Sequence, residues 1–361
     1  MKIAITGFAN SGKTTIFNAL TGQNLPTTVF QTMAVEPNIG IVRVPDSRLD
    51  RLSKIYMPKK TTHATVEYVD YMGLTKGDPK QNRKVFDLIH DADAILHVVR
   101  AFKDDSVSHP MGGVDALRDI EAFELEIIFG DLELVTKRLE RLDQSSKKGQ
   151  RIDEREKNLL LKCEKALEAE TPLRDIDFTE DELKGLRHLQ FLSIKPEVVL
   201  INIAEEDLNS ESLRKLTEEI EGRSKGKKTK ATALCGKVEM EIAELKPEDA
   251  KAFLDDLGIA EPALYRVIHV SYDLLGLISF ITVGTDEVRA WTVKRGTSAL
   301  EAAGKIHSDI ERGFIRAEVV SYEDFMKAGG MVEARDKGLL RLEGKTYEVK
   351  DGDIINFRFN V

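Results

Sequence analysis

"TGFANSGKTT", residues 6–15, decides how this chain is read. It follows the apolar run "KIAI" and brings together two glycines, an asparagine and a lysine. Gly7, four residues, then Gly12-Lys13-Thr14 has the phosphate-loop spacing G-x-x-x-x-G-K-[ST]. The glycines let backbone N–H groups turn toward an anion. Lys13 supplies a point charge for the outer phosphate oxygens, and Thr14 offers a hydroxyl to Mg²⁺. The backbone of Asn10, Ser11, Gly12, Lys13, Thr14 and Thr15 then forms the cradle. The pattern predicts a strand over residues 2–6 and a helix over 13–21 whose N-terminus favours negative charge. A plain glycine-rich turn is the alternative, and the strand and helix flanks favour nucleotide binding.

Composition narrows the classes. At 361 residues the chain is long enough for two to three domains, and 42% hydrophobic residues suffice for ordinary cores. A net charge of −9 argues against a uniformly basic nucleic-acid binder while leaving room for a local basic patch. Cys163 and Cys235 lie far apart and read as small buried apolar residues in a reducing compartment. The apolar start runs straight into the phosphate loop, so no secretory signal is expected. No run approaches the roughly 18 apolar residues of a membrane span. The expected location is cytoplasmic, the expected state a monomer, and no membrane partner is expected.

Strand candidates alternate with helices: "KIAI", "ATVEYVDYMGL" (64–74), "DADAILHVVRAF" (91–102) and "EVVLINIAEEDL" (197–208). That alternation implies a parallel sheet with helices on its faces and ligands at the carboxyl ends of the strands. From Asp119 the pattern changes. Leu125, Ile128, Leu132, Val135, Leu139 and Leu142 alternate steps of three and four, as in a coiled-coil seam. After the polar turn "DQSSKKGQ" (143–150), Ile152, Leu160, Cys163 and Leu167 continue the stripe. The two helices read as an antiparallel arm projecting from the α/β domain; two ordinary helices packed on the sheet are the alternative. The basic run "GRSKGKKTK" (222–230) reads first as a solvated loop. From Leu277 short strands surround the helix "SALEAAGKIHSDIERG" (298–313), suggesting a small α+β domain. The expected domains are 1–118 with 195–276, the inserted arm 119–194, and 277–361.

Further site residues follow from the phosphate loop. "VEYVDYMG" places Asp70 at a strand end with Gly73 three residues on. An aspartate there orients Mg²⁺, and a glycine N–H meets a γ-phosphate, so the segment behind it responds to hydrolysis. Thr32, in "VFQTMAVEPN" (29–38), is a second candidate Mg²⁺ hydroxyl. A guanine-reading protein would carry N-K-x-D at the base. This chain has Asn202-Ile203-Ala204-Glu205, without the lysine and with a longer acid, which leans toward adenine. "LCGK", with Cys235-Gly236-Lys237, stands where such proteins often have S-A-K.

Taken together the chain resembles the YchF / Obg-like ATPase family from Met1 to Val361. The resemblance is carried most specifically by "RAWTVKRGTSALEAAGKIHSDIERGFIRAEV" (289–319) and "LEGKTYEVKDGDIINFRFNV" (342–361), with "EPNIGIVRVPDSRLDRL" (36–52) and the N-x-x-E base motif. It implies a P-loop G domain, an inserted helical arm and a C-terminal TGS-type β-grasp module. It also implies Mg²⁺-dependent ATP hydrolysis and association with ribosomes or RNA. By the same resemblance His109, in the loop after "HVVRAF", would position or accept from the attacking water, with Lys13 the other catalytic candidate; an exposed loop histidine is the alternative. Asn10 would support a bound K⁺ or brace the loop.

The chain departs from the family pattern in places. Ala9 and Ser11 replace the proline and valine of G-F-P-N-V-G-K-S-T, and "DYMGLTKGDPKQNRKV" (70–85) lacks most of the usual glycines. Leu74 follows Gly73 where related GTPases place a water-orienting glutamine, so a low intrinsic rate is expected. The expected function is an ATPase acting as a slow conformational switch, with Asn202, Ile203 and Glu205 framing the base. The rivals are a GTPase and a nucleotide-gated binding module without useful turnover.

Overall fold

The structure, a computed structural model, describes residues 1–27, 37–75, 77–208, 210–223, 228–256, 259 and 261–360. Its contacts divide the chain into two compact units. One is Met1–Ile41 with Glu67–Leu274, and the other is Val42–Val66 with Leu275–Val361.

The chain begins β1 (Lys2–Thr6), α1 (Lys13–Thr21), β2 (Asn38–Arg43), α2 (Ser47–Tyr56), β3 (Lys60–Thr62), β4 (Thr65–Asp70), α3 (Pro79–Ile89) and β5 (Ala94–Arg100). The helical segment follows as α4 (Ala116–Lys147), α5 (Glu154–Glu168) and α6 (Glu180–Leu186). The sheet resumes with β6 (Glu197–Asn202), α7 (Glu211–Arg223), β7 (Thr229–Leu234), α8 (Gly236–Glu244), α9 (Pro247–Asp256) and α10 (Ala263–Leu274). The strand order is β2-β4-β1-β5-β6-β7, and β4, β1, β5, β6 and β7 run parallel to one another. Every residue of β5 and β6 is buried, as expected for central parallel strands covered on both faces. Val85, Phe86 and Ile89 of α3 and Phe123 and Ile127 of α4 pack with Ala4, Val69 and Ile95 of the sheet. A second cluster joins Val99, Val199 and Ile201 to Ile220 of α7, Val238 and Ile242 of α8 and Leu254 of α9. Each such side chain, fully buried, contributes about 1.5–3 kcal/mol.

The helical insertion packs differently along its length. The first turns of α4 cover the sheet through Phe123 and Ile127; beyond them Ile128, Val135, Leu139 and Leu142 pack against Leu160, Cys163 and Leu167 of α5. The arm is also more than a two-helix hairpin, because Leu173, Leu186 and Phe191 close the same core. Asp131, buried in α4, accepts from Leu192 N (3.0 Å) and Ser193 N (2.7 Å), which pins the returning chain to the helix. Of the basic run, residues 224–227 lie outside the described residues; Arg223 pairs with Glu121 and Glu219 on the surface.

The second unit contains β8 (Leu277–Thr282), β9 (Glu287–Lys294), α11 (Ala299–Ile306), α12 (Ser308–Arg312), β10 (Phe314–Ser321), α13 (Tyr322–Ala328), α14 (Met331–Asp336), β11 (Arg341–Glu343) and β12 (Asp353–Phe359). Its strand order is β11-β10-β12-β8-β9-β3. The β8–β9 hairpin is antiparallel, while β12 returns parallel to β8 in the centre. Ala299, Ala302 and Ala303 let α11 approach Phe280, Val319 and Phe357 closely. The helix expected over 298–313 is two, divided at His307, whose side chain caps the second. One expectation changes here. Residues 42–66, placed by the sequence in the first domain, group with the C-terminal unit. Lys60, Thr61 and Thr62 pair in parallel with Glu287, Val288 and Arg289. A three-residue strand with two exposed positions carries no hydrophobic period to announce its partner.

Candidate phosphate-loop site

The loop between β1 and α1 has the conformation its glycines were expected to permit. Gly7 (φ 140°) lies so close to β5 that a Cβ would stand 2.4 Å from Val98 O. Gly12 (φ 93°) leaves room for Asn202, whose Nδ2 would meet a Cβ at 2.2 Å. Asn10 also takes a left-handed conformation, at φ 62°.

Lys13 opens α1 and is 8% exposed; its Nζ donates to Phe8 O at 2.7 Å. Burial lowers its ammonium to about 8, against the pull of Asp70. Thr14 Oγ1 donates to Asp70 Oδ2 at 2.9 Å. The other oxygen of Asp70 and the hydroxyl of Ser11 are buried without a partner among the described residues. Burial raises the Asp70 carboxyl, opposed by Lys13 and Thr14. Gly73 is seated directly over the lysine, where a Cβ would meet Nζ at 2.6 Å. Leu74 N donates to Gly7 O (2.9 Å) and Ala9 N to Leu74 O (3.1 Å), so the segment after β4 is stitched to the phosphate loop. The Leu74 side chain is fully buried in the sheet core. Thr15 lies half-buried in α1, and Thr32 lies outside the described residues.

The expected base-site residues separate. Asn202 is a brace: Nδ2 donates to Ser11 O and Oδ1 accepts from Gly236 N, both at 3.0 Å. Ile203 is 4% exposed and belongs to the core. Glu205 is exposed and opens a short 3₁₀ turn. Cys235 stands at the residue before α8 without a side-chain cap hydrogen bond, and burial pushes its thiol up.

His109 is not on an open loop. Its side chain is 6% exposed, Nε2 lies 3.0 Å from Asp119 Oδ2, and Nδ1 accepts from Met111 N at 3.1 Å. Burial holds the imidazole below its ordinary value despite Asp119. Ser108 O accepts from Asn10 Nδ2 (3.0 Å), and Arg100 donates to the carbonyls of Phe102, Asp104 and Val107. Sequence reasoning missed Asp119 and Arg100. Asp119 read only as the start of a helical pattern, and Arg100 was only one residue within a strand candidate.

Asp70 Oδ1, buried without a partner among the described residues, and the Thr14 hydroxyl beside Oδ2 offer hard oxygen donors of the kind Mg²⁺ takes alongside phosphate and water, so these residues fit Mg²⁺.

Two family models match. The one described as "50S ribosome-binding GTPase" covers residues 2–128, and YchF-GTPase_C, described as "Protein of unknown function (DUF933)", covers 277–360. The chain is 43% identical over 360 residues to "Ribosome-binding ATPase YchF" of Bacillus subtilis, covering 99% of this chain and 98% of that one. It is 39% identical over 363 residues to the protein of that name from Escherichia coli O157:H7, covering 100% and 99%. The solved structure of the Schizosaccharomyces pombe YchF GTPase superposes with a TM-score of 0.83 at 29% identity, covering 99% of this chain and 97% of that one. Similarity of this level along the whole length, carried by the same P-loop core, helical region and C-terminal α/β unit, means that the chain belongs to the YchF family.

Proposed function

We propose that this protein is an ATP-hydrolysing switch that associates with ribosomes. The observation that carries the reading is the Lys13–Thr14–Asp70 constellation under Gly73, a buried, under-partnered polar site at the carboxyl ends of the central strands. The bacterial relatives are named ribosome-binding ATPases.

In this reading Lys13 leaves Phe8 O for the outer phosphate oxygens, and the N–H groups of residues 10–15 hold the remaining phosphate oxygens. Thr14 and Asp70, the aspartate through water, would hold Mg²⁺, with Thr32 as a further hydroxyl. That ion, when bound, would neutralise charge on the β- and γ-phosphates. A K⁺ beside the loop would take Asn10 Oδ1, since the amide nitrogen bonds Ser108 O. Asn202 holds the loop against α8, and the exposed Glu205 is the residue of that motif left to meet the base, since Ile203 is core. The absence of a lysine at 203 and the longer acid at 205 support adenine. The Leu74–Gly7 and Ala9–Leu74 bonds support a switch, because a shift at Gly73 moves the phosphate loop with it.

We assign residues 277–361 the role of a TGS-type module. The unit Val42–Val66 with Leu275–Val361 carries 19 Lys and Arg against 16 Asp and Glu, while the rest of the chain carries 34 against 46. This asymmetry favours the smaller unit as the surface that meets RNA.

Equilibrium binding of ATP and GTP, followed by turnover of each with and without ribosomes, tests the reading. ATP binding at least as well as GTP and being hydrolysed is the expected result. Tenfold tighter GTP binding would replace it with a GTPase. The burial of Leu74 favours a second reading, a nucleotide-gated binder, which binding without turnover in any condition would establish.

A further inference from the structure

We infer that Asp119 is a positioning residue that latches His109 away from water, and that release of this latch gates hydrolysis. The inference rests on the proposed role of His109 in turnover.

The geometry of the ring carries it. A histidine that accepts a proton from water needs a nitrogen lone pair facing that water. Nδ1 accepts from Met111 N–H, so the ring proton lies on Nε2 and is donated to Asp119. Both nitrogens are therefore spent inside the protein. Asp119 is equally committed: Oδ2 takes His109, and Oδ1 takes Arg118 Nε (3.0 Å) and Nη2 (2.7 Å). Arg118 Nη2 also holds Gly113 O at 2.6 Å, which ties the far end of the loop to the same helix.

The latch has a handle at each side. Ser108, immediately before His109, is bonded through its carbonyl to Asn10 in the phosphate loop. Asp119 lies in the first turn of α4, whose later turns build the arm. The segment Ser108–Asp119 thus joins the phosphate loop to the root of the arm through two side-chain contacts. A change at Asn10 reaches the His109–Asp119 bond, and so does a shift of α4. Turnover then scales with the fraction of molecules in which the bond is open.

The test is Asp119→Asn in the full chain. Asparagine keeps the volume and one oxygen for Arg118. Its amide N–H₂ then faces Nε2–H, donor against donor, and the His109 contact is lost. The expected result is a rise of at least about 5-fold in kcat for ATP, KM within about twofold, and no rise in a His109→Ala background. A kcat that falls or stays within about twofold overturns the latch, as does a rise that persists without His109. His109→Ala alone separates the two ideas. If it lowers kcat while Asp119→Asn fails to raise it, only the latch fails; if it leaves kcat unchanged, the assigned role of His109 fails and the latch with it. Amide exchange in the unmodified protein gives a second test that needs no variant. Met111 N–H bonds the His109 ring and Gly112 N–H bonds His109 O. Both should exchange at least about 3-fold faster with a non-hydrolysable ATP analogue and Mg²⁺ than in the protein alone. Unchanged or slower exchange overturns the inference.

Discussion

Two clusters of buried charge in the nucleotide unit invite comparison. At the phosphate loop, Lys13 has Phe8 O and the field of Asp70, while Asp70 Oδ1 and Ser11 Oγ have no partner among the described residues. Below the same strands, Glu197 Oε1 takes His97 Nδ1 at 3.0 Å and Oε2 takes Arg174 Nη2 at 2.5 Å. Arg174 also reaches Glu124 and Thr229, and His97 stacks on Phe123 at 3.8 Å. The electrostatic outcomes are opposite. Burial moves Lys13 down to about 8 and Asp70 up, both toward neutrality. Burial would raise Glu197 as well, but Arg174 and His97 outweigh it and hold the carboxyl down at about 2. A cluster whose opposite charges meet in this way, although Arg174 Nη1 has no partner among the described residues, holds the returning chain that carries Arg174 against β5 and β6. An unpaired one keeps its hydrogen-bonding capacity for something from outside.

That contrast is broken most severely by Arg174→Leu. Removing the guanidinium leaves Glu197 buried and half-paired, and thermal or urea unfolding should show a loss of about 3–5 kcal/mol. Nucleotide affinity, measured on the folded fraction, should change by less than twofold, because the cluster touches no phosphate ligand. Lys13→Ala should do the reverse. It should weaken triphosphate binding at least about a hundredfold, worth about 2.7 kcal/mol, without loss of fold in calorimetric binding and melting experiments. Lys13→Met should add about 1–3 kcal/mol of stability, since a desolvated ammonium is replaced by an apolar chain of similar length. A Lys13→Met protein less stable than the parent would mean that the lysine is structurally paired after all.

The pH dependence should separate the clusters by sign. Glu197 has a folded value below its ordinary 4.5, so its contribution is full above 4.5 and is lost as pH falls toward 2. Glu197→Gln should therefore be less stable than the parent at pH 7, with a difference that shrinks below pH 4.5. Asp70 has a folded value above its ordinary 3.8, so its ionisation opposes folding at neutral pH and the penalty fades on acidification. Asp70→Asn should be more stable than the parent at pH 7, with a gap that closes toward pH 4 in melting curves. The smallest effect concerns the base. Glu205 is exposed, so Glu205→Asp can be made without disturbing the core, and relative affinity for GTP over ATP should rise by less than about tenfold, or 1.4 kcal/mol. Adding lysine at 203 would confuse the result, because that position is 4% exposed and would bury an ammonium.

Much of the molecule was legible along the chain because its signals are local. The β1 and α1 bounds follow from an alternating apolar run, a glycine-rich turn and a 3.6-residue period, all within twenty residues. That Lys13, Thr14, Asp70 and Gly73 meet was readable because the phosphate-loop pattern and the D-x-x-G strand end carry their spacing in the chain itself. The packing of α4 on α5 is legible in the stripe from Ile128 to Leu142, while Leu125, where the stripe was expected to start, lies outside that core. The role of Asn202 as a brace was legible only in part. Its position in the base motif was readable, but the approach that makes Gly12 obligatory joins residues 190 positions apart.

Tertiary structure alone decided the remainder. Residues 42–66 joined the C-terminal unit because β3 found an open edge at β9, and a strand's edge has no sequence signature. Ile203 became core and Glu205 surface, although both stand in one short motif, because consecutive residues beyond a strand end face different neighbours. His109 turned from a loop histidine into a docked one because Asp119 and Met111 close around it. In the chain those residues are merely near one another. Only the packing of α4 against the sheet fixes which of their atoms meet, and therefore which lone pairs remain for chemistry.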